Sequence, residues 1–197
     1  PHRPRPPRHP HLSDRLQRQM CIRDSIGSTL LFLINLKCML LGFSAFITYV
    51  FIYTPMKSKS AWAVFVGAFP GAIPPLLGAI AATDAFGFLP GVLFFVQFTW
   101  QFPHFWAIAW VSHDDYQKAG YHLLPSALGR SKQSAFQILI YSTALIPFSL
   151  IPWLLDWTGN TTFVIAALLG TLFFIYAYKL FLSQEDADAR KLMFASF

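Results

Sequence analysis

The sequence predicts an all-α fold, a polytopic bundle of transmembrane helices, and three observations carry that prediction. Hydrophobic residues make up 55% of the 197 residues and charged residues only 12%, with a mean hydropathy of +0.47, outside the range of ordinary soluble domains. Several apolar runs have the roughly 20 residues needed to cross a bilayer. Lysine and arginine collect in alternate loops between those runs, as the positive-inside rule requires of a multi-pass protein.

Residues 1–25 alternate Pro, His and Arg and then turn polar, without the apolar segment of a secretory signal. They read as a basic tail, disordered or non-native, because membrane sequence begins abruptly at Ile26. Residues 26–197 read as one partial transmembrane domain, cut at both ends. The formal charge of +6 is concentrated in the tail, at Arg3, Arg5, Arg8, Arg15, Arg18 and Arg23, which argues against nucleic-acid binding. Cys21 and Cys38 supply neither a disulfide framework nor a zinc site.

The first run, Ile26 to Asn35, is half the length of a span. Full-length runs follow at Leu36 to Tyr53, Trp62 to Ala82, Leu89 to Val111, Ser134 to Leu155 and Thr161 to Leu182, and Ala189 to Phe197 begins another helix. Lys57 and Lys59 follow the first full span; Lys118, Arg130 and Lys132 follow the third; Lys179, Arg190 and Lys191 flank the end of the fifth. The intervening loops, Thr83 to Phe88 and Asp156 to Asn160, carry no Lys or Arg. The basic loops, and Asp114 and Asp115 with them, are therefore expected on the cytoplasmic side. Lys37 is the exception.

The second span carries Gly67, Gly71 and Gly78 on one side and Pro70, Pro74 and Pro75 within it. The glycines suit close helix packing. The prolines bend or break the helix and free carbonyls, which lipid tolerates only beside protein or a cavity. Packing seam and cavity wall both remain open on the sequence alone.

The third span places Gln97, Gln101 and His104 at i, i+4 and i+7, on one helical face. A helix continued past it returns Asp115 to nearly that face, roughly 16 Å further along the axis. A lone histidine in a bundle is commonly a hydrogen-bonded core residue, yet an ionisable group inside a membrane also marks function. Neutral imidazole ligates iron or orients a polar substrate group, and two amides on the same face favour a pocket.

Asp114 and Asp115 alone would be a solvated helix end. With Lys118 and Arg130 in the same loop and Lys57 on the same side, they suit Mg²⁺ shared with a phosphate, since Mg²⁺ keeps an oxygen shell and readily takes substrate oxygens. Lysines complete the neutralisation of a diphosphate. Tyr49, Tyr53 and Lys57 fall at i, i+4 and i+8, either an aromatic belt with a snorkelling lysine or the second wall of that anion site. A Gly-x4-Gly-Lys-Ser/Thr phosphate loop is absent, so nucleoside triphosphate hydrolysis has no support. Inward-facing rings among the 21 Phe, 7 Tyr and 6 Trp would stabilise a carbocation.

The segments YTPMKSKS (Tyr53 to Ser60), VFVGAFPGAIPPLLG (Val64 to Gly78), WQFPHFWAIAW (Trp100 to Trp110) and DDYQKAGYHLLPS (Asp114 to Ser126) resemble the haem-modifying branch of the UbiA-type intramembrane prenyltransferases, the protohaem IX farnesyltransferases. The likeness runs from Ile26 to Phe197. It implies a helical fold of about nine spans and transfer of a farnesyl group from farnesyl diphosphate to a vinyl group of haem B, giving haem O for haem–copper oxidases. It implies a bacterial plasma-membrane location, with haem A synthase or a terminal oxidase as assembly partner.

Residue by residue, the resemblance assigns Asp114 and Asp115 to Mg²⁺ and diphosphate. It assigns Lys57, with Lys59, Tyr53, Lys118 and Arg130, to the diphosphate, and His104, with Gln97 and Gln101, to haem. Three departures stand out: Ser58 replaces a frequent arginine, Ser112 and His113 replace a further acidic residue, and the first acidic motif is absent, so the chain alone is expected to be inactive. The alternatives are a prenyltransferase with a quinone-ring acceptor and a transporter with a helix broken at Pro70 to Pro75.

Overall fold

The computed structural model describes residues 26–197 other than 28, 58, 59, 122 and 127. The basic tail and Lys59 thus lie outside the described residues. The described elements are all helical: α1 (Leu36–Met56), α2 (Ala63–Thr83), α3 (Phe88–Val111), α4 (His113–Lys118), α5 (Lys132–Leu154), α6 (Asn160–Ser183) and α7 (Asp186–Ala195). Each of the five long apolar runs is a helix whose ends fall within a few residues of those expected.

Among the described residues, α1, α2, α5 and α6 are long and apolar enough to cross a membrane. The equally long α3 is outside that set, because Gln97, Thr99, Gln101, Pro103 and His104 occupy its middle. It compensates by position. α3 packs against α2, α5 and α7, and from Gln101 to Trp110 only Phe105 and Ile108 escape full burial. The most polar long helix therefore sits innermost, where protein rather than lipid meets its side chains.

α1 lies on α2, and its outer face presents Leu36, Leu40, Phe43 and Phe51. Asn35, in an extended conformation, caps α1 by accepting from the Cys38 amide at 2.7 Å. Lys37, out of place by charge alone, is paired with Asp84 at 3.1 Å and also donates to the Asp84 carbonyl.

α2 runs unbroken for 21 residues through all three prolines, so the broken helix of the transporter alternative does not occur at Pro70 to Pro75. Each ring removes one hydrogen bond and crowds the carbonyl four residues back, a cost that a membrane helix absorbs where neighbouring helices and small local adjustments meet the freed groups. At the far side α6 packs on α5, and α7 folds back against both α6 and α3.

Candidate functional site

The site is built at the α1–α2–α3 junction, and a local feature of α1 prepares it. Thr48–Tyr53 forms a π turn, in which both the amide and the hydroxyl of Thr54 donate to the Tyr49 carbonyl. Pro55, having no amide hydrogen, follows directly; single π turns of this kind are frequent at functional sites. The turn brings the Tyr49 and Tyr53 rings to 5.0 Å. The Tyr53 ring lies over Gly67 of α2, where a Cβ would come within 2.8 Å of it.

Gly71, one turn further along α2, does the same for Gln101: a Cβ there would lie 2.5 Å from Oε1 and 2.8 Å from Nε2. The two glycines thus seat two polar side chains. Gln101 is only 3% exposed and its Oε1 has no hydrogen-bond partner among the described residues, an arrangement that leaves a buried acceptor in want of a donor. A cavity of about 570 Å³ opens beside it, lined by Tyr49, Gly71, Gln97, Trp100, Gln101 and His104 among others. The three polar residues of α3 are therefore brought to one cavity, as their helical spacing predicts.

His104 is 8% exposed. Its ring stacks on Trp100 at 4.6 Å, meets Phe197 edge-on at 5.0 Å, and bonds through Nδ1 to the Ser196 hydroxyl at 2.7 Å. A smaller cavity of about 210 Å³ adjoins the first through Tyr49, Gly67 and Phe105, and reaches Tyr53, Tyr116 and Leu123. Tyr116 belongs to the acidic helix α4, so this second cavity spans from the tyrosine line of α1 to the carboxylate-bearing segment.

α4 holds Asp114 and Asp115 in its first turn and Lys118 in its last, the polarity that the helix dipole favours. Gly120, at φ +78°, ends it: the Tyr121 amide reaches back to the Tyr116 carbonyl at 2.8 Å, a closure that needs the left-handed conformation. Lys57 Nζ sits 5.7 Å from the Tyr121 ring centroid, which ties the end of α1 to the segment just after the acidic pair. Tyr121 in turn lies against Tyr116 at 6.5 Å.

Asp114 and Asp115 are 70% and 84% exposed, and among the described residues each has one long ion pair, to Arg130 at 3.5 Å and Lys118 at 3.4 Å. Arg130 is more deeply placed, at 25% exposure. It donates to the Trp110 and Val111 carbonyls at 2.9 and 3.4 Å and pairs with Asp186 of α7 at 3.2 Å. It therefore closes the C-terminus of α3 and joins it to α7, a structural duty beside the diphosphate role expected of it. Among the described residues no group of three or more His, Cys, Asp or Glu could enclose a metal. The donor set is two exposed carboxylates, which fits a hard cation that takes its other oxygens from water and a phosphate.

The model of the UbiA prenyltransferase family matches residues 20–197. The chain belongs to that family. Proteins named protoheme IX farnesyltransferase are similar to it. That of Cytophaga hutchinsonii is 48% identical over 163 residues, covering 83% of this chain and 57% of that protein. That of Christiangramia forsetii is 46% identical over 176 residues, covering 87% and 58%, and that of Flavobacterium psychrophilum 43% over 175 residues, covering 86% and 58%. The chain spans a little over half the length of these relatives. No solved structure matches it.

In this UbiA-family chain several contributors escaped the sequence. Gly71 as the seat of Gln101, Tyr116 and Tyr121 as the bridge to Lys57, and Ser196 as the partner of His104 all depend on contacts between separate helices. Only the glycines left a signal, as small residues four apart. The carbonyls held by Arg130 left none.

Proposed function

We propose that this chain provides the diphosphate end and the acceptor chamber of a membrane farnesyltransferase that acts on protohaem IX to give haem O. The observation that carries the proposal is the adjacency of two cavities. One is walled by the tyrosines that lead to Lys57 and the acidic helix, the other by Gln97, Gln101 and His104. Such an arrangement suits a substrate with an anionic head and an apolar tail meeting a large, flat, mostly apolar acceptor.

Lys57, with Lys59 and Lys118, would draw the diphosphate to the basic end, and Tyr53 would donate its phenolic hydrogen to it. Asp114 and Asp115 would hold a divalent cation, Mg²⁺ by the hardness of their oxygens, which when bound neutralises the leaving diphosphate. Arg130 contributes positive charge to the same end while keeping α3, α4 and α7 together. The carbon–oxygen bond of farnesyl diphosphate breaks, the electron pair leaves with the diphosphate, and an allylic cation remains. Ring faces such as those of Tyr49, Tyr53 and Phe105 would hold that cation by cation–π attraction in a dry site. The haem vinyl group attacks it to form a carbon–carbon bond; water then adds to the resulting cation and loses a proton, giving the hydroxyethylfarnesyl group. In this reading the chemistry takes place in a bilayer, with the basic end cytoplasmic in a bacterial plasma membrane, and the collection of lysine and arginine in alternate loops supports that orientation.

The unbroken α2 and the family membership disfavour the transporter, and the names of the relatives favour haem over a quinone ring. The test uses the protein expressed from its complete gene, in nanodiscs with farnesyl diphosphate, haem B and Mg²⁺. Mass spectrometry should show haem gaining one farnesyl group and one hydroxyl group. No gain on haem, with prenylation of a quinone-ring precursor under the same conditions, would refute the proposal.

A further inference from the structure

Ser196 sits against His104, and its hydroxyl contacts two atoms. One is the Met193 carbonyl oxygen at 2.5 Å; the other is His104 Nδ1 at 2.7 Å. Two oxygens at 2.5 Å without a hydrogen between them would repel, and a carbonyl oxygen has none to give. The single hydroxyl hydrogen therefore lies toward Met193. Toward His104 the serine can only accept, so the imidazole must carry its hydrogen on Nδ1. Neutral imidazole has one ring hydrogen, which leaves Nε2 with a bare lone pair.

No other hydrogen bond to His104 occurs among the described residues. The ring is not free to turn: Trp100 stacks on one face at an interplanar angle of 14°, and Phe197 stands edge-on to it at 88°. Yet His104 is among the side chains that line the 570 Å³ cavity. An imidazole with its Nδ1–H committed to an oxygen, its plane fixed by aromatic packing and its second nitrogen unpartnered has the arrangement by which proteins prepare a histidine for a metal. Gln97 and Gln101, on the same wall, are the polar neighbours available to the periphery of a flat ligand.

We infer that Ser196 is a positioning residue that locks His104 in the Nδ1–H form, so that Nε2 donates its lone pair to the iron of a metalloporphyrin in the cavity. This rests on the proposed haem acceptor and adds to it the bonding atom and the residue that prepares it. The bond is dative, with no proton or electron transferred. Its consequence is position: tethering the iron on α3 would set the plane of the porphyrin and its distance from the Tyr49 and Tyr53 end.

The test is a titration of ferric haem into the protein from its complete gene, in detergent, followed by absorption and electron paramagnetic resonance. Farnesyl diphosphate binding serves as the check of folding. The unaltered protein should show a histidine-ligated spectrum. His104→Ala should lose that signature and regain it with millimolar imidazole. Ser196→Ala should bind haem about 2- to 13-fold more weakly, the worth of one hydrogen bond, and Ser196→Thr should restore it. An unchanged spectrum in His104→Ala would overturn iron ligation while leaving the haem acceptor standing. Equal affinity in Ser196→Ala would overturn the positioning role, and absence of haem binding in the unaltered protein would remove both proposals together.

Discussion

Gly71→Ala separates a packing seam from a chamber wall. A methyl group at this position would stand 2.5 Å from Gln101 Oε1, nearly 1 Å inside ordinary carbon–oxygen contact. The obstacle is the tip of a side chain rather than backbone, so the amide must rotate, at about 0.5–1.5 kcal/mol for an off-rotamer shift. Replacing glycine by alanine in a helix returns about 0.8–1.0 kcal/mol, so the two nearly cancel. Stability is then expected to change by less than about 1 kcal/mol, a shift of at most about 4 °C in melting temperature for a chain of this size. The displaced amide is another matter, since a misplacement of about 1 Å at a site can cost about a hundredfold in rate. Farnesyl transfer to haem should fall at least tenfold while thermal unfolding in detergent barely moves. Gly78→Ala, where a Cβ meets nothing within 4 Å, should leave both unchanged or raise stability slightly. Collapse of the Gly71→Ala fold would restore the seam, and unaltered transfer would remove Gln101 from the chamber.

Asp115→Asn should abolish the divalent-cation dependence of diphosphate binding with little change in stability, because its exposed pair with Lys118 contributes about 0–1 kcal/mol; calorimetry with and without Mg²⁺ reads both. Lys57→Ala should weaken farnesyl diphosphate binding about tenfold or more, the worth of one charged hydrogen bond, and leave haem affinity intact in the same titrations. Arg130→Lys, which cannot span two carbonyls and two carboxylates, should destabilise by about 1–3 kcal/mol, visible as a lower melting temperature without any substrate present. The α6–α7 corner should respond to acid. The Ser183 hydroxyl and then Lys191 hold the Asp188 carboxyl below its ordinary range, so its stabilisation is present above about pH 4 and fades as pH falls through the lowered value. Hydrogen exchange at residues 183–188 should quicken there, and Asp188→Asn should remove the dependence.

The helices were legible because crossing lipid imposes a length and a composition, and both survive in any window of the sequence. The α3 face was legible for a similar reason: Gln97, Gln101 and His104 share a helical period, and the coordinates bring them to one cavity. What the sequence hid were pairings between helices. His104 and Ser196 are 92 positions apart, and a serine near a helix end carries no mark of its partner. Arg130 was read by charge, which names the anion it would attract but not the carbonyls of Trp110 and Val111 that it holds. The prolines of α2 left a bend and a break equally open, because sequence shows the lost hydrogen bonds and not the neighbours that make the loss tolerable.

Those lost bonds have a further place in the design of the chamber. Pro74 and Pro75 deny an i+4 donor to the carbonyls of Pro70 and Gly71, and Pro70 and Gly71 both line the larger cavity. The stretch of α2 that seats Gln101 therefore carries backbone acceptors without intrahelical donors. Elsewhere in a lipid-facing helix such groups would be costly, at several kcal/mol for each one left unsatisfied in hydrocarbon. Here they adjoin a buried amide and an imidazole, so polar cost is concentrated where a ligand or water can meet it. The π turn of α1 follows the same logic, because it too departs from the regular helix at the point where Tyr49 and Tyr53 must reach the junction. Two helices thus depart from regular helical hydrogen bonding where they line the cavity, while the outer face of α1 stays apolar. That asymmetry suits a bundle with a polar cavity between its helices and is unnecessary in one that merely packs.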